Sequence, residues 1–171
     1  MSALQNNAPA ETTGLVLDLG RAVAQRGANP FVGTWKLVSC NAQRRNGQAV
    51  PIYGPNPEGR LFYDAAGNMS VHIMRAGRPR FQQELKFRAS DEEMRQAYQG
   101  YEAYFAMYEV DSDACAIHHR VLGGLFPNWT GTVQSRYYRF EGPDRLILTT
   151  QRPDEAPRKH TVVTLTWERL S

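Results

Sequence analysis

Cysteine and long apolar runs are scarce in this chain. Its 171 residues include only two cysteines, Cys40 and Cys115, which are too few for a disulfide framework. No apolar run approaches the ~20 residues that a membrane-spanning helix needs. Near the N-terminus, residues 14–24 contain Asp18 and Arg21 and follow no basic stretch, unlike a signal peptide. We therefore expect reduced thiols in a cytoplasmic protein that has neither a signal peptide nor a transmembrane helix.

An excess of charge of one sign is also nearly absent. The 20 basic residues are offset by 17 acidic residues, which leaves a net charge of +3. Arg75, Arg78 and Arg80 come close together, but a glycine and a proline interrupt the group, so we interpret it as a solvated loop. The sequence predicts neither nucleic acid nor a membrane as a partner, and it leaves a homodimer open.

The N-terminal residues predict a helix ahead of the main domain. In residues 11–26, Leu15, Leu19 and Val23 recur at helical spacing, which is typical of an amphipathic helix. We assign residues 1–29 to a helical extension. Its apolar face either plugs one end of the following domain or covers its opening.

Residues 30–171 have the pattern of a single all-β domain. Short runs rich in valine, tyrosine, phenylalanine and threonine alternate with turn signals such as the one at residues 66–68, which predicts about eight to ten antiparallel strands. One short inserted helix interrupts them, because Ser90 precedes three acidic residues as an N-cap does. That helix should end near Gly100. Residues 101–110 fit both helix and strand, and we favour strand for their second half.

Several short segments of this domain form a recognisable set. They are Gly33-Thr34-Trp35, Ser70 to Met74 with the following Arg-Ala-Gly-Arg-Pro, Tyr104-Phe105 with Tyr108-Glu109-Val110-Asp111, and Leu125-Phe126-Pro127-Asn128-Trp129-Thr130-Gly131-Thr132. Together they resemble the bacterial and fungal lipocalin-like domain family from about Pro30 to Leu170. The resemblance implies an antiparallel up-and-down β-barrel with an internal cavity. We expect Trp35 at the barrel floor and Trp129 at the opposite rim.

His119 is the first candidate for chemistry in such a cavity. It alternates with Ile117 and Val121, so strand periodicity places its imidazole on the face of core residues. A histidine has an ordinary pKa near neutrality and can serve as an acid or a base. The alternative is a core histidine that is hydrogen-bonded to a neighbouring tyrosine.

Arg136 is the second candidate. It shares a strand face with Gln134, Tyr138 and other side chains that we expect inside the barrel. Its planar guanidinium suits a ligand carboxylate, phosphate or enolate oxygen, and the alternative is a structural ion pair with Glu109 or another internal acid. We expect the tips of Arg136 and His119 to lie within about 8 Å of each other in one cavity.

Five further side chains are candidates for substrate binding. Tyr104 and Tyr108 lie four apart and share a strand face, where each either donates a hydrogen bond to a ligand or packs in the core. His72 faces inward only if its strand has the appropriate parity, which the alternation does not decide. Asn128 and Trp129 follow a proline in a loop from which they reach the barrel mouth or simply form a turn.

The sequence contains no recognisable motif for a metal or a dinucleotide. His72, His118, His119 and His160 lack metal-ligand spacing, and an adjacent pair on a strand points in opposite directions. There is no phosphate loop, dinucleotide fingerprint or Gly-x-Ser-x-Gly elbow. We therefore predict no metal and no cofactor, and haem held by one histidine is the remaining alternative.

Lipocalin-like barrels include carriers, cyclases, isomerases and lyases, so the resemblance leaves two functions open. The first is a cofactor-independent isomerase, cyclase or lyase that acts on a small, mainly apolar molecule such as a polyketide or terpenoid intermediate. In it, His119 would move the proton, Arg136 and Gln134 would stabilise an oxyanion, and Tyr104 and Tyr108 would orient the substrate. The second is a carrier or sensor that only binds such a molecule.

Overall fold

The computed structural model describes residues 29–44, 47–152 and 161–170. The helix expected in residues 11–26, and with it the N-terminal extension, lies outside these residues. In the described part of the chain, no helix is both long enough and apolar enough to cross a lipid bilayer.

Nine antiparallel strands form one sheet that closes on itself in the described residues. They are β1 (Gly33–Gln43), β2 (Ala49–Pro51), β3 (Glu58–Tyr63), β4 (Asn68–Met74), β5 (Tyr101–Asp111), β6 (Ala116–Gly124), β7 (Val133–Phe140), β8 (Arg145–Thr149) and β9 (Val162–Arg169). The short β2 extends the sheet beside the end of β1, and the other strands close into a barrel through pairing of β1 with β9. The predicted up-and-down barrel is confirmed, and residues 101–110 are strand throughout their length.

The single α-helix of the described residues, α1 (Asp91–Gln99), lies between β4 and β5. The Ser90 hydroxyl accepts a hydrogen bond from the backbone N–H of Glu93, whose carboxylate accepts one from the backbone N–H of Ser90. This capping box is the one that the acidic run predicts. No residue of α1 is buried, so the helix contributes little to the core. The described residues also contain two short 3-10 helices, at Lys86–Arg88 and Pro127–Trp129.

Alternation along the strands separates the barrel interior from its outer face. On β6, Ile117, His119 and Val121 are all buried, as the sequence pattern predicts. Arg120 and Leu122, which alternate with them, are exposed. The imidazole of His119 is therefore enclosed with the apolar side chains of the core.

The barrel floor is formed where β1 begins. The indole Nε1 of Trp35 donates a hydrogen bond of 2.9 Å to the carbonyl oxygen of Phe31. The guanidinium of Arg169 lies over the Trp35 ring, 4.1 Å from its centroid. Trp129 follows the end of β6, which is at the opposite end of the barrel because neighbouring strands run antiparallel. The two tryptophans therefore occupy opposite ends, as expected.

Candidate functional site

The barrel encloses a cavity of about 520 Å³ that extends toward the mouth. This volume is within the range of sites that take small organic ligands. Most of its polar side chains come from β5, β6 and β7, and most of its apolar wall comes from β3, β4, β8 and β9. Tyr53 and Thr150, which follow β2 and β8, add two further hydroxyl groups. The lining residues are Cys40, Ile52, Tyr53, Leu61, Val71, Ile73, Glu102, Tyr104, His119, Trp129, Val133, Gln134, Ser135, Arg136, Leu148, Thr150, Val163, Leu165 and Trp167.

Two tyrosine hydroxyls hold the imidazole of His119 at the base of the polar side. The hydroxyl of Tyr63 lies 2.8 Å from Nε2, and the hydroxyl of Tyr104 lies 2.9 Å from Nδ1. Both ring nitrogens are therefore occupied within the protein. This arrangement matches the alternative given above, a core histidine bonded to neighbouring tyrosines.

The surroundings of His119 keep it uncharged. Burial is the main cause that lowers its pKa to about 3, and the positive charges of Arg136 and His118 contribute smaller parts of the same shift. Burial also raises the pKa of the Tyr63 and Tyr104 hydroxyls above the ordinary value. At neutral pH the three groups are consequently a neutral imidazole between two protonated phenols.

Arg136 supplies the positive charge of the cavity. It lies opposite Ile117 in the β6–β7 pairing, and its neighbour on the same face, Gln134, lies opposite His119. One guanidinium nitrogen donates a hydrogen bond of 2.8 Å to the carbonyl oxygen of Ser135. Among the described residues, no carboxylate forms an ion pair with Arg136. Glu109, which the sequence suggested as one possible internal acid for this arginine, is exposed on the outer face of β5 and does not pair with it.

Glu102 is a cavity residue that sequence reasoning missed. Its Oε1 is buried and has no hydrogen-bond partner among the described residues. Burial raises the pKa of this carboxyl, although the backbone N–H of Ala103 and the charge of Arg136 act in the opposite direction. The sequence did contain a signal for it, because alternation along the strand places Glu102 on the same face as Tyr104.

The cavity wall also contains a buried indole and a buried thiol. Trp167 lines the cavity, and its Nε1 has no hydrogen-bond partner in the part of the chain that the structure describes. Burial raises the pKa of the Cys40 thiol to about 11. Cys40 is therefore a weak nucleophile at neutral pH and contributes mainly to packing.

Five of the sequence-predicted site residues come together in this cavity: His119, Arg136, Gln134, Tyr104 and Trp129. Trp129 packs edge-to-face against Tyr104 at the mouth, with 5.7 Å between ring centroids. The amide of Gln134 donates a hydrogen bond of 3.1 Å to the Thr132 hydroxyl.

The other three predicted residues lie elsewhere. His72 is exposed on the outer face of β4, because the alternating Val71 and Ile73 take the inner face, and its Nδ1 lies 2.9 Å from the Tyr101 hydroxyl. Asn128 is exposed in the 3-10 helix and does not line the cavity.

Tyr108 does share the inner face with Tyr104, but it is about 13 Å further toward the floor. Its hydroxyl donates a hydrogen bond of 2.7 Å to the carbonyl oxygen of Asp64, and its ring packs on Tyr63. It is thus a core residue below the cavity rather than part of the lining.

Within residues 29–44, 47–152 and 161–170, no three His, Cys, Asp or Glu side chains group closely enough to hold a metal ion. The residues that line the cavity supply hydrogen-bonding groups, the guanidinium of Arg136 and the carboxyl of Glu102. These groups face an apolar wall, an arrangement that suits an organic molecule with a few oxygen atoms.

Comparison with known proteins identifies similar chains. A family model described as "Lipocalin-like domain" matches residues 32–170. The chain is 32% identical over 108 residues to the 4'-hydroxy-3'-methoxypropiophenone carrier protein ppsC of Aspergillus oryzae, a match that covers 60% of this chain and 96% of that protein. Among solved structures, japanin from Rhipicephalus appendiculatus bound to cholesterol matches with a TM-score of 0.40 and 12% identity, covering 84% of this chain and 80% of japanin.

Proposed function

Because the chain belongs to the lipocalin-like domain family, we propose that its barrel binds a small, mainly apolar organic molecule and acts as a carrier for it. The observation that carries this proposal is the two-sided cavity of about 520 Å³. The apolar wall favours a hydrocarbon or aromatic body, and the polar side favours a few oxygen substituents at one edge.

The relative from Aspergillus oryzae supports an aromatic ketone as the ligand class. That protein is named as the carrier of 4'-hydroxy-3'-methoxypropiophenone, whose aromatic ring bears a ketone, a phenol and a methoxy group. A molecule of this kind combines the apolar body and the few oxygens that the cavity accommodates. We therefore propose an aryl ketone or a similar intermediate of secondary metabolism as the cargo.

Binding without conversion is the function that the histidine environment favours. A general base needs a nitrogen that is free to reach the substrate and a pKa near the working pH. The two ring nitrogens of His119 are held by Tyr63 and Tyr104, and burial lowers its pKa to about 3. In this arrangement, His119 organises the polar side of the cavity instead of moving a proton.

A cofactor-independent isomerase, cyclase or lyase is our second candidate, and Glu102 is the observation that favours it. A carboxyl whose pKa is raised by burial is closer to the range in which it can take and return a proton. The nearby guanidinium of Arg136 would stabilise a developing oxyanion. In this second proposal, Glu102 replaces His119 as the acid–base group.

A cytoplasmic location remains part of the proposal. Cys40 and Cys115 are both free thiols, which agrees with a reducing compartment.

Calorimetric titration with 4'-hydroxy-3'-methoxypropiophenone tests the proposal, with Arg136→Met as the test variant. We expect Arg136→Met to weaken binding on the order of 10-fold or more, because it removes charged hydrogen-bond donors from the cavity. Arg139→Met is the matched control, since Arg139 lies on the outer face of β7 and pairs with Glu141. Its affinity should equal that of the wild type.

The same samples separate the two candidate functions. A carrier returns the ketone unchanged after prolonged incubation, whereas an acid–base enzyme yields a product whose formation Glu102→Gln abolishes. Absence of binding by aryl ketones, or equal weakening in both arginine variants, would contradict the proposed site.

A further inference from the structure

The hydrogen bonds around His119 leave one hydrogen atom over. Tyr63, His119 and Tyr104 are all neutral at neutral pH, so each supplies one polar hydrogen. Two contacts connect them, at 2.8 Å and 2.9 Å. Each contact uses one hydrogen, and one tyrosine hydroxyl must therefore accept from the imidazole N–H and point its own hydrogen elsewhere.

The two hydroxyls differ in the hydrogen-bond acceptors that their surroundings provide for this remaining hydrogen. Tyr63 is 3% exposed, and its ring is enclosed by Phe31, Tyr108 and His119. Among the described residues, its hydroxyl has no hydrogen-bond acceptor other than His119. A spare hydrogen there would be a buried, unsatisfied donor, which is costly.

Tyr104 is in a different position, because it lines the cavity. A spare hydrogen on its hydroxyl is available to a bound molecule or to solvent that enters the cavity. The lower-energy arrangement therefore has the Tyr63 hydroxyl donating to Nε2 of His119, Nδ1–H donating to the Tyr104 oxygen, and the Tyr104 hydrogen directed into the cavity.

We infer that His119 carries its proton on Nδ1, and that it thereby sets Tyr104 as a hydrogen-bond donor that selects ligands with a carbonyl oxygen. This inference rests on the proposed function, since it concerns the same cavity. It makes His119 a positioning residue, which acts on the ligand only through Tyr104. It also makes Tyr63 the anchor that holds the imidazole in one tautomer.

The ligand selectivity follows from the chemistry of the two partners. A carbonyl oxygen accepts a hydrogen bond from the phenol, whereas a methylene group at the same place would leave that donor unpaired in a largely apolar cavity. The cavity should therefore distinguish an aryl ketone from the alkylbenzene of the same shape.

Nitrogen NMR of the ligand-free protein with isotope-labelled histidine tests the tautomer directly. Comparison with the spectrum of His119→Gln assigns the His119 signals. We expect Nδ1 to have the chemical shift of a protonated nitrogen and Nε2 that of a bare one. The reverse assignment, or a charged ring at pH 7, would overturn the inference, and this measurement needs no variant of either tyrosine.

A pair of ligands tests the consequence for recognition. The probes are 4'-hydroxy-3'-methoxypropiophenone and 2-methoxy-4-propylphenol, which has the same skeleton with CH₂ in place of the carbonyl. We expect the wild type to prefer the ketone by about 10-fold, and Tyr104→Phe to lose that preference by weakening ketone binding alone. Tyr137→Phe is the control, because Tyr137 does not line the cavity and its ring packs under Arg152.

The outcomes separate this inference from the proposed function. If both probes bind but Tyr104→Phe keeps the ketone preference, the carbonyl lies elsewhere and the inference is wrong while the carrier function stands. If neither probe binds the wild type, the proposed function fails for aryl ketones and the selectivity fails with it. A thermal melt of each variant confirms that the comparison is made on folded protein.

Discussion

At the residue scale, burial decides what the titratable groups of the cavity can do. His119 is 1% exposed and carries no charge, whereas Glu102 is only half-buried and one of its oxygens has no hydrogen-bond partner in the described part of the chain. The free energy needed to remove a charged imidazolium from water exceeds the free energy that its hydrogen bonds to two tyrosine hydroxyls supply. The ring therefore remains neutral. The consequence is a link between the protonation of His119 and the stability of the barrel.

The stability of the barrel should fall in acid because of His119. Burial lowers its pKa to about 3. At pH values below the ordinary pKa of 6.5, the unfolded chain therefore binds a proton at His119 that the folded protein does not bind. The contribution of neutral His119 to the free energy of unfolding is present above pH 6.5 and is lost progressively as the pH falls toward 3. Between pH 7 and pH 4, the wild type should lose on the order of 3 kcal/mol more than His119→Gln.

Urea unfolding of both proteins at a series of pH values measures this difference. Carboxyl groups, Glu102 included, titrate in both proteins and therefore largely cancel. If the two pH profiles run parallel, His119 is not the neutral, buried group that we describe.

At the scale of elements, the barrel depends on close approach of β3 to its neighbours. A Cβ added at Gly59 would lie 2.7 Å from the carbonyl oxygen of His72 and 3.0 Å from the Cβ of Leu37. Neither atom is the end of a flexible side chain, so the strands themselves would have to move. By contrast, α1 buries no residue, and its capping box stabilises the helix locally.

Gly59→Ala should therefore destabilise the barrel by about 1–3 kcal/mol, the usual cost of forcing an extra methyl group into a packed site. Gly123→Ala is the matched control. Its added Cβ would meet the ring of Phe105 at 2.8 Å, but Phe105 is 55% exposed and free to rotate away. Chemical denaturation of both variants should show the larger loss for Gly59→Ala, and equal losses would contradict this packing argument.

At the scale of the whole molecule, the reaction rate of the Cys40 thiol should report whether the cavity is occupied. The chain has two cysteines, of which Cys40 lines the cavity and Cys115 is exposed. In Cys115→Ser, the single remaining thiol is Cys40. Its burial and its pKa of about 11 predict slow reaction with a thiol reagent at neutral pH.

Bound ketone should slow that reaction further. If only the empty barrel reacts, a ligand concentration about 100 times Kd should reduce the modification rate of Cys40 up to about 100-fold. Cys40→Ser is the control, because its exposed Cys115 should react at the same rate with and without ligand. Unchanged modification of Cys40 in the presence of a ligand that calorimetry shows to bind would place that ligand outside the barrel.

The sequence by itself determined the features that depend on neighbours in the chain. Alternation with a period of two identified the strands and directed His119 and Arg136 to the same interior, and an acidic run after Ser90 identified α1. The Leu125–Thr132 segment, with its distinctive proline and tryptophan, supported the family. These signals are local, since each one reflects backbone geometry over a few residues.

Only the tertiary structure decided the partners of each side chain. Tyr63 and His119 are 56 residues apart, and their contact depends on strand register across β3 to β6, which no local pattern encodes. The side of β4 that His72 occupies was ambiguous because both sets of alternating residues include apolar side chains. The absence of an ion pair at Glu102 in the described residues could not be predicted from the sequence either, because charge pairing depends on distances across the barrel that closes when β1 pairs with β9.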